Sequence, residues 1–237
     1  MGTPDFRFRQ FTVRHDRCAM KVGTDGVLLG AWAPVPSSGT VLDIGTGTGL
    51  IALMVAQRAP QVQVVGIDID AGAVLQANEN VAASPFSGRV CIRQAELSDF
   101  AASCTERYDA IVCNPPFFTE SLLPPDQARS AARHEQSLPF PTLVACASQL
   151  LLDDGSLSVV LPSSALEDFR SEAFAHDLVL TRLCRVRTTP SKPPKRILGT
   201  FVKAPSTPFR FEEETLILME GGARSAAYSA LTSEFYL

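Results

Sequence analysis

The segment Thr40–Gly49, TVLDIGTGTG, constrains the fold of this 237-residue chain more than any other stretch. A short apolar run stops at Asp43 and Ile44, and glycine then occupies positions 45, 47 and 49. Glycine allows the left-handed backbone of a tight strand-to-helix turn, and it lets that backbone pass close to a ligand. Leu50–Arg58 follows with helical spacing, and Pro60 closes it. The alternation then continues. Val62–Ile67 is a β-rich run ending at Asp68, and Ala71–Ala83 is an alanine-rich helix stopped before Pro85. Arg89–Arg93, Asp109–Cys113 and Gly155–Leu161 read as strands, with Phe140–Leu152 and Leu166–Ala175 as helices. Leu178–Val186 and Arg196–Lys203 alternate as paired strands at the end of the sheet. Thr215–Met219 adds a strand, and Ala226–Phe235 a terminal helix. Strands alternating with helices predict an α/β fold whose largely parallel sheet is covered on both faces.

In such sheets ligands bind outside the carboxyl ends of the strands. DIGTGTG, Asp68, Glu96 and Asn114-Pro115-Pro116-Phe117 each follow a predicted strand, so they meet along one edge. The glycine turn alone serves several dinucleotides, or nothing at all. A dinucleotide favours G-x-G-x-x-G, yet after Gly45 and Gly47 position 50 is leucine. The spacing suits S-adenosylmethionine, which has no pyrophosphate to cradle. Asp43, Gly45, Gly47 and Gly49 are therefore cofactor-binding candidates. Asp68 ends the second strand, where a carboxylate can accept both ribose hydroxyls. Its alternative role, capping the next helix, falls more naturally to Asp70. Glu96 is placed either to accept from an adenine amine or simply to sit at the surface.

The run DAIVCNPPFFTE, Asp109–Glu120, stops a buried strand on a polar amide and then stiffens it with two prolines. A proline holds the residue before it extended, so Pro115 fixes Asn114 and Pro116 fixes Pro115. The Asn114 amide carbonyl and the Pro115 backbone carbonyl are then two acceptors at set positions. An exocyclic amine on a base or amide is a poor nucleophile, because its lone pair is delocalised. Two acceptors on its hydrogens favour a pyramidal nitrogen and aim the lone pair. Phe117 offers a flat face for stacking. The bland alternative is a strand-ending turn with core aromatics.

Composition limits the partners. Apolar residues are 46% and charged residues 19%, ordinary for a globular chain. No apolar run is long enough for a membrane span, and the N-terminus lacks a signal-peptide core. Six scattered cysteines without a CxxC pair predict reduced thiols and a cytoplasmic location, with no zinc site. His15 and Cys18 are too few for a metal, and Trp32 reads as core. The net charge is −4, but the cations cluster. Arg7, Arg9, Arg14, Arg17 and Lys21 face one acid, Asp16, while 182–196 holds six basic residues and no acid. Acids gather elsewhere, as at Glu212–Glu214. The sequence thus predicts a local positive face, to which Arg7, Arg9, Arg14, Lys192, Lys195 and Arg196 contribute. Solvated surface runs are the alternative. Pro124–Ser137 is long enough to act as a lid, in which Arg133, His134 and Glu135 either order the loop around a target base or are merely solvated.

The order DIGTGTG, GIDID, NPPF resembles the amino-group methyltransferases with an [ND]PP[FYW] motif, which modify adenine, cytosine, guanine or protein glutamine. His15–Val35, HDRCAMKVGTDGVLLGAWAPV, is more specific. It resembles the tRNA adenine N6-methyltransferase family that acts beside the anticodon of a valine tRNA. The likeness runs nearly the whole chain, to the AYSALTSEFY ending at Ala227–Tyr236. It implies a Rossmann-like S-adenosylmethionine-dependent fold with a seven-stranded sheet, in one domain over 1–237. It also implies that residues 1–33 pack on the cofactor pocket, with Lys21, Gly23, Thr24 and Asp25 near the methionine end. Asn114, Pro115 and Phe117 would carry the catalysis. Where family members often have tyrosine, this chain has Phe117, which keeps stacking and loses a phenol. The expected product is an N6-methylated adenine 3′ of the anticodon, with the RNA phosphates held by Arg7, Arg9, Arg14, Lys192, Lys195 and Arg196. No metal is expected, and the sequence favours a monomer without fixing the oligomeric state. Guanine-N2 methylation of ribosomal RNA, protein-glutamine methylation and a non-catalytic RNA-binding methyltransferase fold are the competing readings.

Overall fold

A computed structural model describes residues 5–18, 21–116, 138–204 and 208–237. The first strand of the central sheet is β3 (Ser38–Ile44), and the glycine turn hands it to α2 (Leu50–Arg58). Next come β4 (Gln61–Asp68), α3 (Ala71–Ala82), β5 (Val90–Gln94), α4 (Leu97–Ser103) and β6 (Tyr108–Cys113). The second half holds α5 (Phe140–Leu150), β7 (Leu151–Pro162), α6 (Leu166–Ala175), β8 (Leu178–Arg187), β9 (Arg196–Lys203) and β10 (Glu212–Ile217). Among the described residues the sheet has eight strands, in the order β10-β8-β9-β7-β6-β3-β4-β5. Only β9 runs against the others. The expectation of seven strands is thus one short.

The eighth strand is β10, which starts three residues before the strand expected at Thr215–Met219, because Glu212–Glu214 look like loop in the sequence. Its register sets Glu212 beside Arg182 and Glu214 beside Cys184. Arg182 bridges Glu214 at 2.8 Å, and Arg185 pairs with Glu213. The acid and base runs that look segregated are therefore strand neighbours. This corrects the positive face expected over 182–196, because its first two arginines are neutralised in place.

Apolar residues from the two sheet faces form two cores. One gathers Val27, Leu28, Leu53, Val64 and Phe235, and the other Leu42, Ile111, Leu143, Phe169 and Phe201. The first face also takes α1 (Thr24–Trp32), α7 (Ala226–Thr232) and the hairpin of β1 (Asp5–Arg7) with β2 (Thr12–Arg14). A small hairpin of β11 (Met219–Glu220) and β12 (Ala223–Arg224) leads into α7. Trp32 is buried as expected, and its Nε1 donates to Glu214 at 2.7 Å.

The far ends of α1 and α2 are held by arginine side chains. Arg58 donates to the Gly30 and Ala33 carbonyls, and Arg89 donates to Ala56, Ala59 and Val62. A cation there complements the helix dipole and satisfies carbonyls that have no intrahelical partner. Replacing Arg89 with alanine is expected to lower the unfolding free energy by roughly 1–3 kcal/mol. A urea titration should show an earlier midpoint with an unchanged slope.

Candidate active site

The carboxyl ends of β3, β4 and β6 define the site. Ile44 pairs with Ile67 on one side and with Cys113 on the other. The glycine turn, Asp68 and Asn114 therefore leave the sheet from adjacent strands, about 4.8 Å apart. Gly45, Gly47 and Gly49 all have positive φ, at 68°, 54° and 79°. A Cβ on Gly45 would meet nothing within 4 Å, and one on Gly47 would meet only the Gly45 carbonyl at 4.0 Å. The turn thus presents bare backbone to open space, as a closely held ligand requires.

Asp68 braces this turn. Its Oδ2 accepts from the Gly47 N–H at 2.8 Å and its Oδ1 from the Asp70 N–H at 3.0 Å. Each oxygen keeps a further lone pair, so the carboxylate can still take two hydroxyls. Asp70 caps α3 through Gly72 and Ala73, the role weighed against the ribose reading of Asp68. Glu96 caps α4, where Oε2 accepts from Ser98 and Asp99. It also lines an open cleft of about 440 Å³ with Ile69, Ala95 and Phe100. Ile69 is 61% exposed there, an apolar face the sequence reading did not single out. A single residue between two acids carries no periodic signal that would have found it.

Asp43 sits beneath the turn rather than in it. Its carboxylate is fully buried and accepts from the Thr46 hydroxyl and the Ala52 N–H. Burial pushes its pKa up to about 7, against the lowering effect of those two bonds. Oδ1 has no hydrogen-bond partner among the described residues. The folded chain therefore holds a proton that the unfolded chain releases near the ordinary carboxylate value, about 3.9. This contribution to stability is largest at low pH and is lost as pH rises from about 4 to about 7. Asp43→Asn keeps an acceptor for both donors, so it should flatten the stability profile across that window in pH-dependent denaturation.

The N-terminal segment crosses this edge. The backbone of Arg14 is clasped by the Asn80 side chain, which also donates to the Thr48 carbonyl in the glycine turn. Arg17 reaches Glu79, and the Cys18 thiol is pushed up to about 11 by burial, with Asp68 and Asp70 adding to it. Gly23 precedes α1, Thr24 and Asp25 form its first turn, and Lys21 is exposed beside it. A Cβ on Gly26 would lie 3.2 Å from Leu50 and 3.9 Å from the Asn114 amide nitrogen. The first turn of α1 thus closes on Asn114, which the prolines alone did not reveal. Asn114 is partly buried, and Pro115 is buried. Burial drives the neighbouring Cys113 thiol well above its ordinary pKa, so it stays neutral and is no base.

The candidate cations divide. Arg196 donates to Asp25 at 2.8 Å, on the site edge. Lys192 and Lys195 occupy the loop between β8 and β9 on that same edge, since Ser163 at the end of β7 bonds to the Lys195 carbonyl. Arg9 is elsewhere. Its N–H bonds to the Phe235 carbonyl and its Nε to Tyr236, while neighbouring Glu234 accepts from Gln57 in the last turn of α2. That places Arg9, with Arg7 in the same hairpin, toward the opposite edge of the sheet. Phe117 and the Pro124–Ser137 loop, with Arg133, His134 and Glu135, lie outside the described residues. Among the described residues no group of three or more potential ligands could hold a metal.

The glycine turn, Asp68 and Asn114 leave adjacent strands of a sheet with the methyltransferase fold, and the comparisons with known proteins show the family. The methyltransferase small domain family matches residues 20–167. A protein of Phocaeicola vulgatus is 47% identical over 100% of this chain and 99% of its own length. One of Porphyromonas gingivalis is 46% identical over 100% and 96%, and one of Yersinia enterocolitica 44% over 98% and 92%. All three are named tRNA1(Val) (adenine(37)-N6)-methyltransferase. Among solved structures, one described as a predicted O-methyltransferase from Agrobacterium tumefaciens superposes with a TM-score of 0.65. It is 18% identical, over 89% of this chain and 96% of that one. The ribosomal protein L11 methylase of Lactobacillus delbrueckii gives 0.53 at 17% identity, over 75% and 76%. The chain belongs to the methyltransferase small domain family, in the branch that holds these tRNA1(Val) (adenine(37)-N6)-methyltransferases.

Proposed function

We propose that this protein transfers a methyl group from S-adenosylmethionine to the N6 amine of the adenine 3′ of the anticodon in a valine tRNA. The observation that carries the reading is the emergence of Asn114 and the bare glycine turn from paired strands. It supports reading Asn114 and Pro115 as a rigid pair of acceptors beside a cofactor cradle. The donor set fits the cofactor, with open backbone at Gly45 and Gly47 and spare acceptor sites on Asp68. The cleft beside Ile69 and Glu96 suits its adenine. Bound there, S-adenosylmethionine supplies a methyl group activated on a sulfonium.

The protein's part is positioning. The Asn114 side-chain carbonyl and the Pro115 carbonyl accept the two amine hydrogens and aim the nitrogen lone pair. Phe117 stacks on the base. The amine proton becomes acidic only after transfer, so water can take it and no strong base is needed. Holding the reactants in line supplies most of the rate. A base in an anticodon loop reaches the site at small unstacking cost. Six free cysteines suit the cytoplasm, where the tRNA is, and no described helix is long and apolar enough to cross a membrane.

The test is methyl transfer from labelled cofactor to an unmodified valine tRNA transcript, beside a transcript with guanine at the target position. Label in the first and none in the second is the expected result. Equal labelling of both, or labelling of ribosomal RNA alone, overturns the substrate assignment.

A further inference from the structure

The basic residues of 182–196 do not act alike, and the difference selects one docking element. Arg182 and Arg185 are cancelled by Glu212–Glu214. Arg187 points its guanidinium back into the β8–β9 loop, donating to the Lys192 carbonyl at 2.7 Å and to the Pro190 carbonyl. Lys192 N–H bonds to Thr189 O, Lys195 N–H to Val186 O, and Ser163 N–H to Lys195 O. Pro190, Pro193 and Pro194 stiffen what remains. The loop is thus held in one shape from inside, and its two lysines are left exposed. Neither lysine makes an ion pair with a described residue.

The position is as telling as the charge. The loop joins β8 and β9, and β9 is separated from β6 only by β7. It therefore lies two to three strand spacings from Asn114, roughly 10–15 Å. At a stacked rise of 3.4 Å per nucleotide, that is about three to four nucleotides along one strand. Arg196, at the end of the loop, grips Asp25 in the first turn of α1, the turn that packs against Asn114. A rigid cationic loop at that distance matches a run of phosphodiesters, which carry charge but no base identity.

We infer that Thr188–Lys195 is a preformed clamp for the RNA phosphates flanking the target nucleotide. Lys192 and Lys195 make the contacts, and Arg187 is a positioning residue that holds them out. The inference rests on the proposed RNA methylation, and it assigns docking to this loop rather than to Arg7 and Arg9.

The test measures binding of a valine anticodon stem-loop at several salt concentrations, with cofactor affinity and turnover alongside. Wild type, Lys192→Ala/Lys195→Ala, Arg187→Gln and Arg7→Ala/Arg9→Ala are compared. The lysine pair should weaken RNA binding about tenfold or more and flatten the log affinity–log salt slope by about 1.4–1.8, two contacts' worth. Arg187→Gln should raise the KM for RNA and flatten the slope, with cofactor affinity and kcat kept. Arg187→Lys should restore part of it. The Arg7/Arg9 variant should leave the slope unchanged. If wild type methylates the RNA while the lysine pair keeps its affinity and slope, the clamp is wrong and the enzymatic reading stands. If wild type methylates no RNA, the enzymatic reading fails first, and the clamp falls with it.

Discussion

Asn114→Ala is expected to lower turnover about 10²–10³-fold while the cofactor binds as in wild type. On the proposed mechanism the side-chain carbonyl is one of two fixed acceptors for the reacting amine, so its loss removes alignment at the reacting nitrogen. The cradle does not depend on it, because the glycine turn is braced by Asp68 and Asp43. Asn114→Asp keeps an acceptor but adds charge beside Asp68 and buried Asp43, so it should recover only part of the rate. The check is kcat under saturating cofactor and RNA, with cofactor affinity measured separately by calorimetry. A large loss of cofactor affinity in Asn114→Ala would make the residue part of the cradle instead.

Asp68→Ala should show the opposite pattern. Its carboxylate holds Gly47 and Asp70 in place and keeps two acceptor sites free for ribose. Hydrogen bonds to charged groups contribute about 1.5–3 kcal/mol each, so losing two ribose bonds should weaken cofactor binding about 100-fold or more. The brace to Gly47 goes with them, and the turn loses definition. Turnover at saturating cofactor should fall far less. Unchanged cofactor affinity in a folded Asp68→Ala protein would remove Asp68 from the ribose site. Together the two variants separate the cofactor half of the edge from the acceptor half.

Much of this edge was legible because each strand ends on a residue with a chemical reason to be there. α2 runs Leu50–Arg58 as read, since Gly49 in a left-handed turn starts it and Pro60 follows its end. What escaped had no period to read. α1 is buried nearly all round, and its two glycines let Leu50 and Met54 press against it, so no polar face marks it as a helix. α4 spans seven residues, too few for a repeat, so nothing local marks Glu96 as its cap rather than a cofactor contact or a surface acid. β10 starts three residues before Thr215, where the sequence predicts it, because Glu212–Glu214 look solvated until the arginines of β8 are set beside them. The same pairing divides the basic run. Local sequence shows six like charges, and only the sheet register shows which are already spent.

The most direct measurement is nucleoside mass spectrometry of valine tRNA after reaction with the wild-type protein and S-adenosylmethionine. The account predicts N6-methyladenosine 3′ of the anticodon, formed about 10²–10³-fold more slowly by Asn114→Ala under the same conditions. A methylated guanine in its place would contradict the substrate, and methylation at a ring nitrogen would contradict the proposed role of Asn114 and Pro115 as acceptors for an exocyclic amine.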